Sequence, residues 1–170
     1  TGLCGVFPVS AQKNTAPNSS GIFDSVIVYA SDQYGNADIF KMYPDGSSVF
    51  RLTDNPLPEK CPSWSPDGKK IAYTSDRIGS PQIYIMDTDG KNPRRITRQG
   101  GYNTSPAWSP RGDLLAFSSR IGGAFKIKTI NLKTGKARVL TDSRGDDEDP
   151  AWAPDGRHLV YTSRRGKFAN

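Results

Sequence analysis

The chain has 170 residues, of which 35% are hydrophobic, with 17 glycines and 13 prolines, and this composition favours short strands and tight turns over helices. Its net charge of +6 comes from single and paired basic residues, whereas nucleic-acid-binding proteins show a clustered basic stripe interleaved with aromatics. No apolar run approaches the roughly 20 residues of a membrane-spanning helix, so we expect neither a nucleic-acid partner nor a membrane span.

The first twelve residues resemble the end of a secretory signal. A short apolar stretch leads to Val9-Ser10-Ala11, which has the small-residue spacing of a cleavage site, and a polar stretch follows. We therefore expect a leader-like segment over residues 1–21 and a periplasmic or otherwise exported protein. The sequence also leaves open a disulfide between Cys4 and Cys61, the two cysteines of the chain.

A tryptophan recurs every 44 residues, at Trp64, Trp108 and Trp152. Each stands in the pattern Pro-x-Trp, followed by Ser or Ala, Pro, a charged residue and Gly. A period of this size is typical of repeat architectures, in which each unit buries its apolar face against its neighbours. We interpret the tryptophans as structural residues that fill the space between units, because a buried aromatic of this size covers about 150–250 Å².

Four short segments recur within each repeat when the chain is aligned with itself at this offset. A segment at Pro-x-Trp comes first, and an apolar run follows, at residues 26–30, 71–74, 114–118 and 159–162. A third segment lies beyond a glycine, at residues 38–43, 82–87 and 125–132. The fourth ends in Leu-Thr or Ile-Thr, at residues 52–53, 96–97 and 140–141. Four antiparallel strands per repeat predict an all-β protein made of β-propeller blades.

The number of predicted blades is small. Three strands open the chain at residues 26–53, two whole blades follow at 61–97 and 105–141, and two strands close it at 149–163. About three and a half repeats over residues 22–170 cannot close a ring, since propellers typically have 4–8 blades. We therefore expect an incomplete propeller, or one that is completed by oligomerisation.

The repeat resembles that of the TolB-like β-propeller family, which belongs to the Tol–Pal system of the bacterial envelope. Residues 38–53 carry D-I-F-K-M, D-G and R-L-T, residues 62–68 read P-S-W-S-P-D-G, and residues 83–90 read I-Y-I-M-D-T-D-G. The resemblance covers residues 26–170. It implies a non-enzymatic, periplasmic scaffold for protein–protein interaction, whose partner is a Pal-like envelope lipoprotein bound at the mouth of the propeller channel.

Two other functions remain open at this point. The repeats could be the propeller domain of a larger hydrolase or peptidase, or a short propeller that assembles from identical copies without a ligand. Against an enzyme, the chain contains one histidine, His158, and no G-x-S-x-G nucleophile elbow. We therefore expect no catalytic residues in this chain.

Two sets of polar residues are candidates for partner binding. Glu59, Asn103 and Asp147 stand 44 residues apart, three before each Pro-x-Trp proline, and would place oxygen atoms in a ring near one channel mouth. Such a ring suits the basic groups of a partner or a Ca²⁺ ion held by Glu59 and Asp147, although these residues could instead cap turns. The second set could pair with acidic partner groups or brace loops; it comprises Arg77, Arg120 and Arg164.

Overall fold

The computed structural model describes residues 25–164, which form an all-β array without a helix that could cross a membrane. The thirteen strands are β1 Ile27–Ser31, β2 Asp38–Met42, β3 Phe50–Arg51, β4 Glu59–Trp64, β5 Lys70–Ser75, β6 Gln82–Asp87, β7 Arg94–Arg95, β8 Asn103–Trp108, β9 Leu114–Ile121, β10 Ala124–Asn131, β11 Ala137–Val139, β12 Asp146–Trp152 and β13 Leu159–Arg164. The predicted leader segment and Cys4 lie outside the described residues, and Cys61 is disulfide-bonded.

The strands pair in chain order as antiparallel meanders. Strands β4–β7 form one four-stranded sheet and β8–β11 form another, while β1–β3 and β12–β13 form a three-stranded and a two-stranded sheet. The first strands of successive sheets contact one another, β4 with β8 and β8 with β12, and therefore lie on the inner side of the array. This is the predicted propeller architecture, with two complete blades and two partial ones that do not close a ring.

The hydrophobic core lies between blades, as expected for units that cannot bury an apolar face alone. One cluster joins Val28 and Ile39 of the first blade to Ile71 and Tyr73 of the second, with Trp64 packed against it. The next cluster joins Ala72, Ile83 and Ile85 of the second blade to Leu115, Phe117 and Ile130 of the third, with Trp108 packed against it. Each tryptophan thus occupies the space between its own blade and the preceding one.

Trp152 repeats this arrangement with an added polar contact. Its indole nitrogen donates a hydrogen bond of 3.2 Å to the carbonyl oxygen of Ala107, which lies in the preceding blade. The indole therefore ties the first strand of one blade to the first strand of the next.

The segments Ser-Pro-Asp-Gly, Ser-Pro-Arg-Gly and Ala-Pro-Asp-Gly form the turns between the first and second strands of the second, third and fourth blades. In the second blade the amide of Gly68 donates to the carbonyl of Ser65 at 2.9 Å, so that Pro66 occupies the first central position, for which its fixed φ is suited. Gly68 itself has a φ of 68°, the left-handed region that favours glycine.

The fourth strand of each blade ends earlier than the sequence predicts. Strands β3, β7 and β11 stop before the predicted Leu-Thr or Ile-Thr pair. The reason is visible at Thr97, whose hydroxyl oxygen accepts a hydrogen bond of 3.0 Å from the amide of Ile83 and replaces a strand-to-strand bond. The equivalent hydroxyls of Thr53 and Thr141 accept from Ile39 and Ile127.

Candidate protein-binding face

The predicted site residues lie at one end of the blades. Because the strands are antiparallel, the start of each first strand pairs with the end of each second strand: Glu59 is opposite Ser75, Asn103 opposite Ser119 and Asp147 opposite Ser163. The loops from second to third strand and from blade to blade emerge at this same end. We call this surface the loop end of the blades.

The buried Glu59 forms an ion pair with the partly exposed Arg77 at the loop end. The Glu59 side chain is fully buried, and its Oε1 accepts hydrogen bonds from the hydroxyl of Ser75 at 2.9 Å and from the guanidinium of Arg77. Arg77 also donates to the Tyr73 hydroxyl at 3.0 Å and lies 4.7 Å from the ring centroid of Tyr84. Burial is the main cause that raises the pKa of Tyr73, so this phenol stays neutral and able to hydrogen-bond.

Asn103 occupies the equivalent position in the third blade and is equally buried. Its amide nitrogen donates to the side chain of Gln82 at 2.9 Å and to the carbonyl of Gln99 at 3.1 Å. These bonds fasten the first strand of the third blade to the third strand of the second blade and to the loop between them. Asn103 therefore joins two blades.

Asp147 is the third buried member of this series. Burial opposes ionisation of its carboxyl, but hydrogen bonds from Ser143 and Ser163, both 2.7 Å long, together with the Thr141 hydroxyl and the positive charge of Lys126, outweigh it and hold its pKa below the usual value. The carboxylate thereby fixes the loop that contains Ser143 against the end of β13.

The three residues form one buried layer beneath the loop end. No described part of the chain brings together three or more His, Cys, Asp or Glu side chains able to hold a metal ion, at Glu59 and Asp147 or elsewhere. One oxygen each of Glu59 and Asn103 is buried without a hydrogen-bond partner. Direct contact between a partner and Glu59, Asn103 or Asp147 stays a prediction.

The three arginines have different surroundings. Arg77 turns back onto Glu59, whereas the Arg120 side chain is exposed. Arg164 is also exposed, and its backbone is in register with Asp146. Glu148 lies on the same strand as Asp146, and burial raises the pKa of its carboxyl. The negative charge of Asp149 raises this pKa further. The structure therefore places two of the three arginines on the surface of the loop end.

Exposed apolar side chains, which the sequence analysis did not single out, also lie at the loop end. Tyr34 and Ile78 lie in the loops between second and third strands, and Ile121 is the last residue of β9 before the corresponding turn; they are 65%, 50% and 40% exposed. Leu57 and Tyr102, in the loops between blades, are 39% and 38% exposed. A sequence signal does exist, since a glycine directly follows Tyr34, Ile78 and Ile121, but it also fits an ordinary turn.

A β-bulge in each first strand was also missed. Cys61, Ser105 and Asp149 stand 44 residues apart and have φ values of 52°, 52° and 53°, and the strand register shifts beside each of them. The extra residue places Glu59 opposite Ser75 and Trp64 opposite Ile71, which are four apart on β5. Glu59 and Trp64 therefore face the same side, although simple alternation would place them on opposite sides.

His158 lies at the opposite end of the blades. It is exposed in the turn between β12 and β13, where its Nδ1 contacts the carboxylate of Asp155. This turn also contains hydrogen bonds from the backbone amides of Arg157 and His158 to Asp155, at 2.8 and 3.1 Å. The arrangement is that of a surface turn.

Two of the solved structures to which the chain is similar are TolB proteins. The putative TolB from Agrobacterium tumefaciens has a TM-score of 0.77 and 28% identity, over 85% of this chain and 52% of that one. TolB from Acinetobacter baumannii has a TM-score of 0.77 and 30% identity, over 86% of this chain and 38% of that one. This chain thus spans about half or less of the length of either protein.

More distant structures share only the fold. The tricorn protease has a TM-score of 0.60 at 17% identity, over 82% of this chain and 14% of that one. No curated protein matches the chain. The model of the TolB beta propeller domain matches residues 9–169, nearly the whole sequence. The chain therefore belongs to the TolB beta propeller domain family.

Proposed function

We propose that this protein is a non-enzymatic, exported propeller scaffold whose loop end binds a protein partner, a Pal-like lipoprotein of the bacterial envelope. The observation that carries the proposal is the exposure of Tyr34 and Ile78, which are equivalent residues of two successive blades, and of Ile121 beside the corresponding turn of the third blade. Single exposed apolar residues are common on protein surfaces. A row of them at one end of neighbouring blades has the composition of an interface core.

The polar surroundings of this row support the same interpretation. Arg120, which precedes Ile121, and Arg164 of the fourth blade are exposed at the same end and can meet carboxylates of a partner. Arginine and large apolar residues are the types enriched in protein interfaces. The loop end therefore combines apolar contact area with charged groups that can orient a partner.

The buried layer enters the proposal as the support of this surface. Glu59 holds Arg77 in the loop that carries Ile78, and Asn103 fastens the loop that precedes Tyr102. We expect substitutions of Glu59, Asn103 and Asp147 to weaken partner binding by loosening these loops. The Pal-like identity of the partner, the periplasmic location and the lack of catalysis rest on membership of the TolB propeller family.

The test is a calorimetric titration of the full chain with the soluble domain of the Pal-like lipoprotein from the same organism. The variant with Ile78→Asp and Ile121→Asp acidifies the loop end and should bind at least about ten-fold more weakly. The control carries Lys69→Asp and Lys91→Asp, two exposed residues at the opposite end of the second blade. Failure of the unmodified chain to bind, or equal loss of affinity in both variants, would refute the proposal.

A further inference from the structure

The third blade carries basic residues where its neighbours carry acidic ones, at the end opposite the loop end. In the turn between first and second strands, Arg111 stands at the repeat position of Asp67 and Asp155. In the turn between third and fourth strands, Lys133 follows Asp89 by the repeat length of 44 and Asp45 by twice that length, in a turn one residue longer than its equivalents. One blade has thus exchanged an acid for a base in both of its turns at this end.

The acids have a structural role in the other blades. The carboxylate of Asp67 accepts hydrogen bonds from the Ser65 hydroxyl at 2.6 Å and from the Lys69 amide at 3.1 Å. In the same way the carboxylate of Asp89 accepts from the Lys91 amide at 3.0 Å. Local hydrogen bonds of this kind stabilise tight turns.

In the third blade other residues perform this role. Asp113 accepts from the Ser109 hydroxyl at 2.8 Å, and Asn131 accepts from the amides of Lys133 and Thr134 at 3.1 and 2.8 Å. Both turns therefore keep their hydrogen bonds. The acceptor is the carboxylate of Asp113, two residues after Arg111, in the first turn and the amide of Asn131 in the second. The basic side chains of Arg111 and Lys133 are left free of any role in turn formation.

The two turns adjoin each other. The amide of Leu132 donates to the carbonyl of Asp113 at 3.0 Å, so both turns meet at one corner of the blade, which we call the basic corner. Its cations are exposed, and none belongs to an ion pair within residues 25–164. They are Arg111, Lys133, Lys136 and Arg138.

We propose that the basic corner docks an acidic, extended segment of a partner protein. Four unpaired cations attract a segment rich in Asp and Glu. Strand β11 adjoins the corner as the outer edge of its sheet, so its backbone can pair with an added strand. Val139 and Leu140, which are 51% and 46% exposed, offer apolar contacts along the same edge. An edge strand with apolar side chains favours a polypeptide over a lipid surface.

The test measures fluorescence anisotropy of a short labelled peptide of alternating glutamate and valine, titrated with the full chain. We expect binding that weakens as salt is raised. The variant with Arg111→Asp and Lys133→Asp restores the residues of the other blades, and its affinity should fall about ten-fold or more. Lys69→Asp with Lys91→Asp changes the net charge equally in the second blade and should alter the affinity less than about two-fold.

Three results would overturn the proposal: no binding of the peptide at low salt, equal loss of affinity in both double variants, or binding to vesicles of anionic phospholipid without binding to the peptide. Circular dichroism of each variant verifies that the fold is retained. The variant with Ile78→Asp and Ile121→Asp should bind the peptide normally, because its changes lie at the loop end. Loss of the proposed Pal-like interaction is thereby distinguished from loss of this one.

Discussion

Gly90 packs its Cα directly against the backbone carbonyl of Leu52, which belongs to the preceding blade. A Cβ atom on Gly90 would overlap this oxygen, and the φ of 85° at Gly90 is also unfavourable for other residues. The turn between β6 and β7 therefore approaches the first blade as closely as backbones allow. Contact between blades thus depends on a glycine as well as on apolar side chains.

Replacement of Gly90 by alanine should destabilise the protein more than the same replacement at Gly46. Gly46 is the repeat equivalent, with a φ of 80° and open space around it. Both changes incur about 1–2 kcal/mol for the left-handed backbone, and Gly90→Ala adds about 1–3 kcal/mol for the overlap with Leu52. Urea unfolding measures the free energy of unfolding of the two variants. Equal losses of stability would show that the turn can move away from Leu52 without an energetic cost.

Removal of the Arg77 side chain should be costly because it leaves the Glu59 carboxylate buried without its counter-charge. For Arg77→Met we expect a loss of about 3 kcal/mol in the free energy of unfolding. Arg120→Met is the control, since Arg120 is exposed, and should change stability by no more than about 0.5 kcal/mol. If both variants were equally stable, Glu59 would have to find another partner or a proton.

The strands and their order could be predicted because the repeat is visible in the residues themselves. The segment predicted at residues 82–87 coincides with β6, and the apolar run at residues 71–74 lies within β5. Errors occurred where a side chain takes over a backbone hydrogen bond, as Thr97 does at the end of the fourth strand. Apolar patterns do not report such a replacement.

The burial of Glu59, Asn103 and Asp147 could not be predicted from the sequence. The spacing correctly relates Glu59, Asn103 and Asp147 as equivalent positions, but spacing does not show whether a position is exposed. The bulges at Cys61, Ser105 and Asp149 change the alternation of each first strand, and these three residues have no chemical feature in common. The exposed apolar tips were overlooked because an apolar residue before a glycine is ordinary in turns.

Truncation of equivalent aromatic residues in successive blades should depend on how deeply each one is buried. Phe117 is 1% exposed between the second and third blades, whereas its repeat equivalent Tyr161 is 43% exposed. Phe117→Ala should therefore lower the free energy of unfolding by about 3–5 kcal/mol, and Tyr161→Ala by about 1 kcal/mol. Thermal denaturation at matched protein concentration measures both. Similar losses would mean that the blades do not share one cooperative core.

Asp147 should contribute a pH-dependent part of the stability. Its pKa is lowered in the folded protein, so the folded state binds its proton more weakly than the unfolded state, whose value is about 3.9. The contribution is therefore fully present above about pH 4 and is lost as the pH falls through the lower, folded pKa. Asp147→Asn should cost about 1–2 kcal/mol at neutral pH, because the amide replaces a carboxylate that accepts two hydroxyl hydrogen bonds.

Chemical denaturation of the unmodified chain and of Asp147→Asn at a series of pH values tests this contribution. The two stability curves should lie apart at pH 7 and approach each other as the pH falls below about 4 and through the lower pKa of the folded carboxyl. Asp142→Asn, an exposed change in the same loop, should follow the unmodified chain throughout. A constant separation between the curves down to acidic pH would show that the lost stability comes from packing, because a lost carboxylate hydrogen bond must disappear when the carboxyl is protonated.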